Sequence, residues 1–348
     1  MSTANAPRTP LNIDVVLNAL APPDVLARLA VQAEQAGVGT CWTASYLASR
    51  DPWSNLVAAA QATSRIGLGA IAVNPYDTHP VRIATGLFTL NEYAKGRARI
   101  VLGGGGEALQ ALGIKPDKRV RAVGEAVQIL KGATPAQPFS FPGKMFEVTN
   151  YFPSWVTAPK PSIDVAVNKP QMLRMAARLA DGAMLSDLTP AICEERIGWL
   201  RDHLQEFGRA SAPFRFANFV AWHVYADGER ARREARMWLG YRGLFRRWVL
   251  NTFMTDAEYD LIEAHKAAIY GMVPRKAWTV DGVPDELLDR CVDALTLTGT
   301  PAELPRMIDY LKALQASGCT DVVLELHDEP EEGLRLIGER VIPALQAG

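Results

Sequence analysis

The stretch Ile66-Gly67-Leu68-Gly69-Ala70-Ile71-Ala72-Val73-Asn74-Pro75-Tyr76-Asp77-Thr78-His79-Pro80 decides the fold. Its first half is short and apolar and lies between helical patterns, the signature of a parallel strand buried on both faces. Gly67 and Gly69 leave one side of that strand open to another backbone or a flat ligand. The second half is a polar loop stiffened by Pro75 and ended by Pro80, which suits the first turn of a helix. A buried strand that ends in a rigid polar loop and then a helix is how α/β barrels build sites. The loop residues Asn74, Tyr76, Asp77 and His79 either line such a site or close the turn and cap the helix.

Outward from this stretch the same unit recurs. Before it, Leu11, Ile13, Val15 and Leu17 alternate with Asn12, Asp14, Val16 and Asn18, a strand with polar groups on one face. Residues 22–37 form an amphipathic helix, residues 40–47 a second strand, and Asp51 caps a helix that opens on Pro52. After it come a helix over residues 80–95 and a strand over residues 98–102. That strand ends in Gly103-Gly104-Gly105-Gly106-Glu107, where backbone can approach a ligand closely. A helix over 120–131, an extended excursion over 139–151 turning at Pro142-Gly143, and strands over 162–168, 183–188, 214–226 and 320–327 follow. Eight strands, each followed by a helix, predict a (β/α)8 barrel. Residues 229–290 are helical, rich in arginine and aromatic side chains, and longer than one crossover needs, so they read as an insert before the last strand. Residues 1–10 read as a frayed, disordered tail and residues 11–348 as one domain.

Bulk properties narrow the function. The chain has 348 residues, a formal net charge of −1 and 48% hydrophobic residues, enough for a large core and too neutral for nucleic acid or an anionic membrane as main partner. No apolar run is long enough to span a bilayer, and Cys41, Cys193, Cys291 and Cys319 are scattered without metal-ligand spacing. A cytoplasmic protein acting on a small molecule, with no metal, is the expectation.

Three motifs carry a resemblance. They are Val73-Asn74-Pro75-Tyr76-Asp77-Thr78-His79-Pro80, Leu102-Gly103-Gly104-Gly105-Gly106-Glu107-Ala108-Leu109, and Arg119-Val120-Arg121 leading to residues 125–132. With them the chain resembles the bacterial-luciferase-like superfamily, barrel enzymes that use flavin or the deazaflavin coenzyme F420, and within it the methylenetetrahydromethanopterin reductases. The resemblance implies a cofactor across the C-terminal mouth of the barrel, its ring against the central strand at Ile71, Ala72 and Val73, near a non-prolyl cis peptide at Ile71-Ala72. It further implies Gly104, Gly105 and Glu107 as cofactor contacts, with Val167, Asn168 and Lys169 at the ribityl or phosphate portion and Asn74 at the ring edge. A homodimer is expected because relatives form one.

The chain departs from that pattern at three places. Ser45-Tyr46 stands where many deazaflavin enzymes carry aspartate-histidine, so the usual imidazole acid/base is absent and Tyr46 is the candidate donor. Asp14 stands where the reductases have a glutamate. Lys169 follows Val167-Asn168 where small residues are usual, and it either binds a phosphate at the helix N-terminus or marks a different cofactor, such as a nicotinamide.

Asp14 has two readings: a desolvated acid that supplies a proton to a hydride transfer, or a carboxylate paired inside the barrel for structure. Glu107 is likewise a candidate catalytic or cofactor-binding acid or a first-turn acid at a helix dipole. Trp222 and His223, near a strand end, are candidate substrate contacts, and the arginines of the insert are candidate cations of a lid. The reading that results is an F420-dependent oxidoreductase moving a hydride to or from a small organic carbon centre such as methylene-tetrahydropterin. Its rivals are a flavin-free, NADH-dependent methylenetetrahydrofolate reductase, an FMN-dependent monooxygenase and a catalytically silent binding barrel.

Overall fold

In the computed structural model, residues 10–242 and 246–347 are described, apart from the side chains of Glu107 and Ala108. The expected tail lies almost wholly outside these residues. Eleven strands occur in chain order: β1 Asn12–Leu17, β2 Thr40–Ala44, β3 Gly67–Val73, β4 Ala98–Leu102, β5 Phe139–Pro142, β6 Glu147–Tyr151, β7 Ser162–Ala166, β8 Gly182–Ser186, β9 Arg215–Val224, β10 Thr296–Gly299 and β11 Asp321–Leu326. Nine of them form one parallel sheet in the order β10-β9-β11-β1-β2-β3-β4-β7-β8, and β8 pairs again with β9, which closes the predicted (β/α)8 barrel. β5 and β6 form a separate antiparallel hairpin, the predicted excursion.

Local chemistry sets these elements where the sequence places them. The Asp51 carboxylate accepts from Ser54 N at 2.8 Å and caps the helix Pro52–Ala62. His79 Nδ1 accepts from Val81 N and caps Pro80–Tyr93, so His79 belongs to the helix start. The Arg97 guanidinium donates to the carbonyls of Ala60, Thr63 and Ile66, tying the end of one helix to the entry of β3. Thr300 and Glu303 form a reciprocal capping box ahead of the helix Leu304–Ala316.

Two expectations need correction. The space beside Gly69 is taken by the Trp42 ring, which a Cβ there would meet at 2.3 Å, and by the Arg99 carbonyl at 3.2 Å, and a Cβ at Gly67 would meet Thr40 Oγ1 at 2.8 Å. The glycines of β3 are small because side chains of β2 lie against them. β10 is a strand the sequence reading lacks. It follows the helix Asp285–Leu295 with no loop between and pairs in parallel with the second half of β9, from Thr296 opposite Ala221 to Gly299 opposite Val224. Four residues of Thr-Leu-Thr-Gly are too short for a period to show.

The chain divides into two compact units, one of residues 14–185 and 196–216, the other of residues 1–13, 186–195 and 217–348. In the second, the arginine-rich insert is helical: Gly228–Trp238, Arg247–Leu250, Asp256–Ala264, Lys266–Tyr270 and Met272–Arg275. Its arginines are largely spent on neighbouring carboxylates, Arg232 and Arg236 on Asp285, Asp289 and Asp293, and Arg247 on Asp256 and Asp260. The insert therefore packs as an ion-paired helical layer, not as a display of free cations. All four cysteines are buried and none is in a disulfide, and no helix among the described residues is long and apolar enough to cross a membrane.

Candidate functional site

The first unit places most of the expected site residues at the C-terminal ends of β2, β3, β4 and β7. β3 is buried along its length except at Ala72, which is exposed between buried Ile71 and Val73. The Ile71-Ala72 peptide is cis. Ser45 N donates to Ile71 O at 2.7 Å and Gly103 N to Val73 O at 2.8 Å, so the ends of β2 and β4 are laced to this point of β3. A Cβ on Gly103 would stand 3.1 Å from the Ala72 methyl. Gly104 and Gly105 are partly exposed, and Gly105 has φ +75, a backbone conformation that side chains disfavour.

Beyond β2, Tyr46 and Leu47 are 59% and 54% exposed, and Leu20 after β1 is 61% exposed. Barrel enzymes build their sites at this end of the strands, and here it carries the exposed Ala72 methyl, the partly exposed Gly104 and Gly105, and the exposed Leu20, Tyr46 and Leu47. Val167 is buried after β7, Asn168 is half-buried, and Lys169 is exposed at the N-terminus of the ten-residue helix Pro170–Leu179. Glu107 opens the short helix Glu107–Ala111, and its side chain lies outside the described residues.

Two expected roles give way to structural ones. Asn74 is 8% exposed; its Oδ1 accepts from Tyr76 N and Asp77 N and its Nδ2 donates to Asp77 at 2.6 Å, so the amide closes the loop and is not held out to a ring edge. Tyr76 pins the same loop by donating to Asp117 O.

Asp14 is fully buried and lies level with the first residue of β2, far from the strand ends. Its Oδ2 accepts from Trp42 Nε1 at 3.0 Å and from Arg215 Nη2 at 2.8 Å, and Arg215 Nη1 reaches Asp164 Oδ2 at 2.6 Å. Arg215 opens β9, so one guanidinium ties β1 and β7 to β9 at their N-terminal layer. Asp14 is thus a buried carboxylate paired inside the barrel, as its structural reading expects.

The second unit holds a polar cluster that the sequence reading caught only at His223. His223, near the end of β9, is fully buried and stacks on His327, which follows β11, with ring centroids 4.5 Å apart and planes 5° apart. Trp238 lies tilted against His327, with centroids 4.5 Å apart and planes at 32°. Arg242 bridges Asp187 Oδ1, at 3.2 Å, and Glu325 Oε2. Burial, helped by the Arg242 charge, pushes the His327 imidazole down to about 3 against the opposing pull of Asp328, and burial pushes His223 well below its ordinary value. Both are neutral at pH 7. The signal missed was a glutamate and a histidine at the end of an otherwise apolar last strand. Trp222 points elsewhere: its Nε1 lies 3.4 Å from where a Cβ on Gly333 would be, under the helix Pro330–Leu336.

Known proteins sharpen the reading. A family model described as luciferase-like monooxygenase matches residues 6–321. The chain is 26% identical to a 5,10-methylenetetrahydromethanopterin reductase of Archaeoglobus fulgidus, across 90% of this chain and 93% of that one. It is 24% identical to the protein of the same name from Methanopyrus kandleri, across 92% and 95%. Among solved structures, the coenzyme F420-dependent tetrahydromethanopterin reductase from Methanopyrus kandleri superposes with a TM-score of 0.76 at 20% identity, over 97% of this chain and 99% of that one. An F420-dependent secondary alcohol dehydrogenase, solved with an F420-acetone adduct, superposes with a TM-score of 0.73 at 18% identity, over 96% and 99%. At these identities the structural likeness establishes the barrel fold. The family match over most of the chain establishes descent: this protein belongs to the luciferase-like monooxygenase family.

Proposed function

We propose that the protein is an F420-dependent oxidoreductase, moving a hydride between the deazaflavin and a small organic substrate such as a one-carbon unit on a reduced pterin. The observation that carries this reading is the surface at the ends of β3 and β4, where Ala72 alone of its strand is exposed and Gly104 and Gly105 are partly exposed. When bound, a deazaflavin supplies a carbon that gives or takes a hydride without ready reaction with oxygen. Ile71, Ala72 and Val73 would carry its ring, and the glycines admit its chain. Lys169 and the N-terminus of Pro170–Leu179 favour a phosphate. Ser45 and Tyr46 stand at the rim, where Tyr46 is the side chain able to donate to a substrate oxygen or nitrogen. The names of the relatives support the choice of pterin, and the F420-dependent enzymes among the solved structures support the choice of cofactor. The same surface admits FMN, since family members solved with FMN share this barrel at a TM-score of 0.66.

The test is a set of spectroscopic titrations of the purified protein with F420, FMN and NADH, followed by turnover assays on methylene-tetrahydromethanopterin, methylene-tetrahydrofolate and secondary alcohols. F420 alone should bind tightly and be oxidised or reduced in a substrate-dependent way. Tight FMN binding with oxygen consumption would replace the reading by a monooxygenase, and NADH oxidation without either by a flavin-free reductase. A homodimer in the cytoplasm is part of the same proposal, and sedimentation of the purified chain checks its oligomeric half.

A further inference from the structure

The candidate site uses none of the four cysteines, yet two of them meet inside the second unit. Cys193 lies in the opening turn of the helix Pro190–Glu206, its N–H bonded to Thr189 O and its thiol donating to Leu188 O at 3.8 Å. Cys319 stands in the turn between the helix Leu304–Ala316 and β11, its N–H bonded to Leu314 O and its Sγ 3.8 Å from Ser317 Oγ. Gly318 makes that turn at φ +101, a conformation that favours glycine. The two thiols share a hydrogen bond, although the residues are far apart in the chain. Leu188 O fastens their two segments together a second time. It accepts from Tyr310, on the helix that leads into Cys319, at 3.4 Å, and from Asn218 Nδ2 of β9 at 3.0 Å. Cys193 is fully buried and Cys319 is 4% exposed. Cys41 and Cys291 are buried too, but among the described residues neither has a second thiol against it.

We infer that Cys193 and Cys319 form a two-electron redox site, which a hydroperoxide converts to a disulfide. Cys319, the more exposed thiol, attacks the peroxide oxygen. The O–O bond breaks, water leaves with the thiol proton, and the sulfur becomes a sulfenic acid. Cys193 Sγ then attacks that sulfur, the S–S bond forms, the S–OH bond breaks, and a second water carries off the Cys193 proton. The peroxide gains the two electrons that the thiols lose. Hydrogen-bonded sulfurs need only a short further approach to reach an S–S bond of about 2 Å. The reaction is slow in the closed fold, because the hydrogen bond to Cys319, and burial after it, push the Cys193 thiol well above its ordinary value and leave little thiolate. Opening of the turn at Ser317–Cys319 therefore limits the rate. The bridge closes a long loop, which restricts the unfolded chain and stabilises the folded one. It also anchors the segment that carries Asp187, the partner of Arg242. The site needs neither the proposed cofactor nor its substrate.

The experiment treats the purified, fully reduced chain with hydrogen peroxide, in buffer and in urea below the unfolding transition. The products are denatured, alkylated and mapped by mass spectrometry. The reduced chain alkylates at four thiols. The treated chain should alkylate at Cys41 and Cys291 alone and yield one peptide pair joined through Cys193 and Cys319, two hydrogens lighter than its reduced parts. Mild urea should speed this loss of two thiols. The oxidised chain should unfold at a higher urea concentration than the reduced one, a shift that dithiothreitol reverses. Cys319→Ser should form no bridge under the same treatment, and the wild-type map decides the matter even where that variant does not fold. Four alkylatable thiols after treatment, in buffer and in mild urea alike, overturn the inference. So does a bridge to Cys41 or Cys291 or between two chains, and so does sulfinic acid at either position without a bridge, which would show that the sulfurs do not meet.

Discussion

Arg215 holds two carboxylates that neither the loop nor the helix patterns mention. Its guanidinium joins Asp14 and Asp164, both buried, and the Trp42 indole N–H donates to Asp14 as well. Breaking a buried ion pair by removing one partner costs about 3–5 kcal/mol, because a charge is left desolvated. Arg215→Ala and Asp14→Ala should each lose stability on that scale in urea unfolding. The double variant should lose less than the sum, since the two residues share one interaction. If Asp14→Asn kept wild-type stability but lost turnover alone, the structural role assigned to Asp14 would be wrong. A second residue-scale expectation concerns Gly69. An alanine there meets the Trp42 ring at 2.3 Å, so Gly69→Ala should displace the indole that donates to Asp14. Destabilisation by overpacking of about 1–3 kcal/mol should be read out as a shift in tryptophan fluorescence.

At the scale of elements, the β5–β6 hairpin is held to the barrel helix Arg119–Gly132 by hydrogen bonds to Glu125 and by the Phe139 ring against Gly132. Glu125 takes three successive N–H groups of the turn, and Gly143 lets the turn close, since a Cβ there would meet Phe146 O at 2.3 Å. Glu125→Ala leaves those donors without their acceptor, each worth about 1–3 kcal/mol if it stays buried. Hydrogen exchange at Lys144, Met145 and Phe146 should accelerate strongly in that variant, while exchange in β1–β4 stays as in wild type. Unchanged protection of the turn would show that packing of the hairpin aromatics holds it instead. The predicted elements and the observed ones agree closely here. β4 is found at Ala98–Leu102, as read, because an apolar run bounded by Gly and a helix stop is decided within a few residues. β10 escaped because its four residues gain strand geometry only by pairing with β9.

For the molecule as a whole, the buried groups set a direction for acid. Burial presses on Glu34 to stay neutral, but the N–H groups of Ile66, Arg65 and Ser64 outweigh it and hold the carboxylate at about 2, below its ordinary 4.5. A depressed carboxylate contributes stability that is present above 4.5 and fades as pH falls toward 2. His327, held at about 3 against an ordinary 6.5, acts in the same sense by the opposite chemistry. The unfolded chain takes up a proton below 6.5 that the folded chain refuses until about 3, so stability falls as pH drops through that window. The urea midpoint should therefore decline from pH 7 to pH 5, before Glu34 contributes, and the decline should be shallower in His327→Phe. A flat midpoint over that range would show that the imidazole is solvated in the folded state.

The sequence by itself determined the alternation of strand and helix, the caps at Asp51 and Thr300, the glycine-lined end of β4 and the family, because each of these is written within a few neighbouring residues. Only the tertiary structure decided which polar groups are spent. Asp14 meets Arg215 across 201 positions, and Arg242 meets Asp187 and Glu325. Charge pairing depends on distance in space, and no local pattern records which residues a closed barrel brings within a few ångströms of one another.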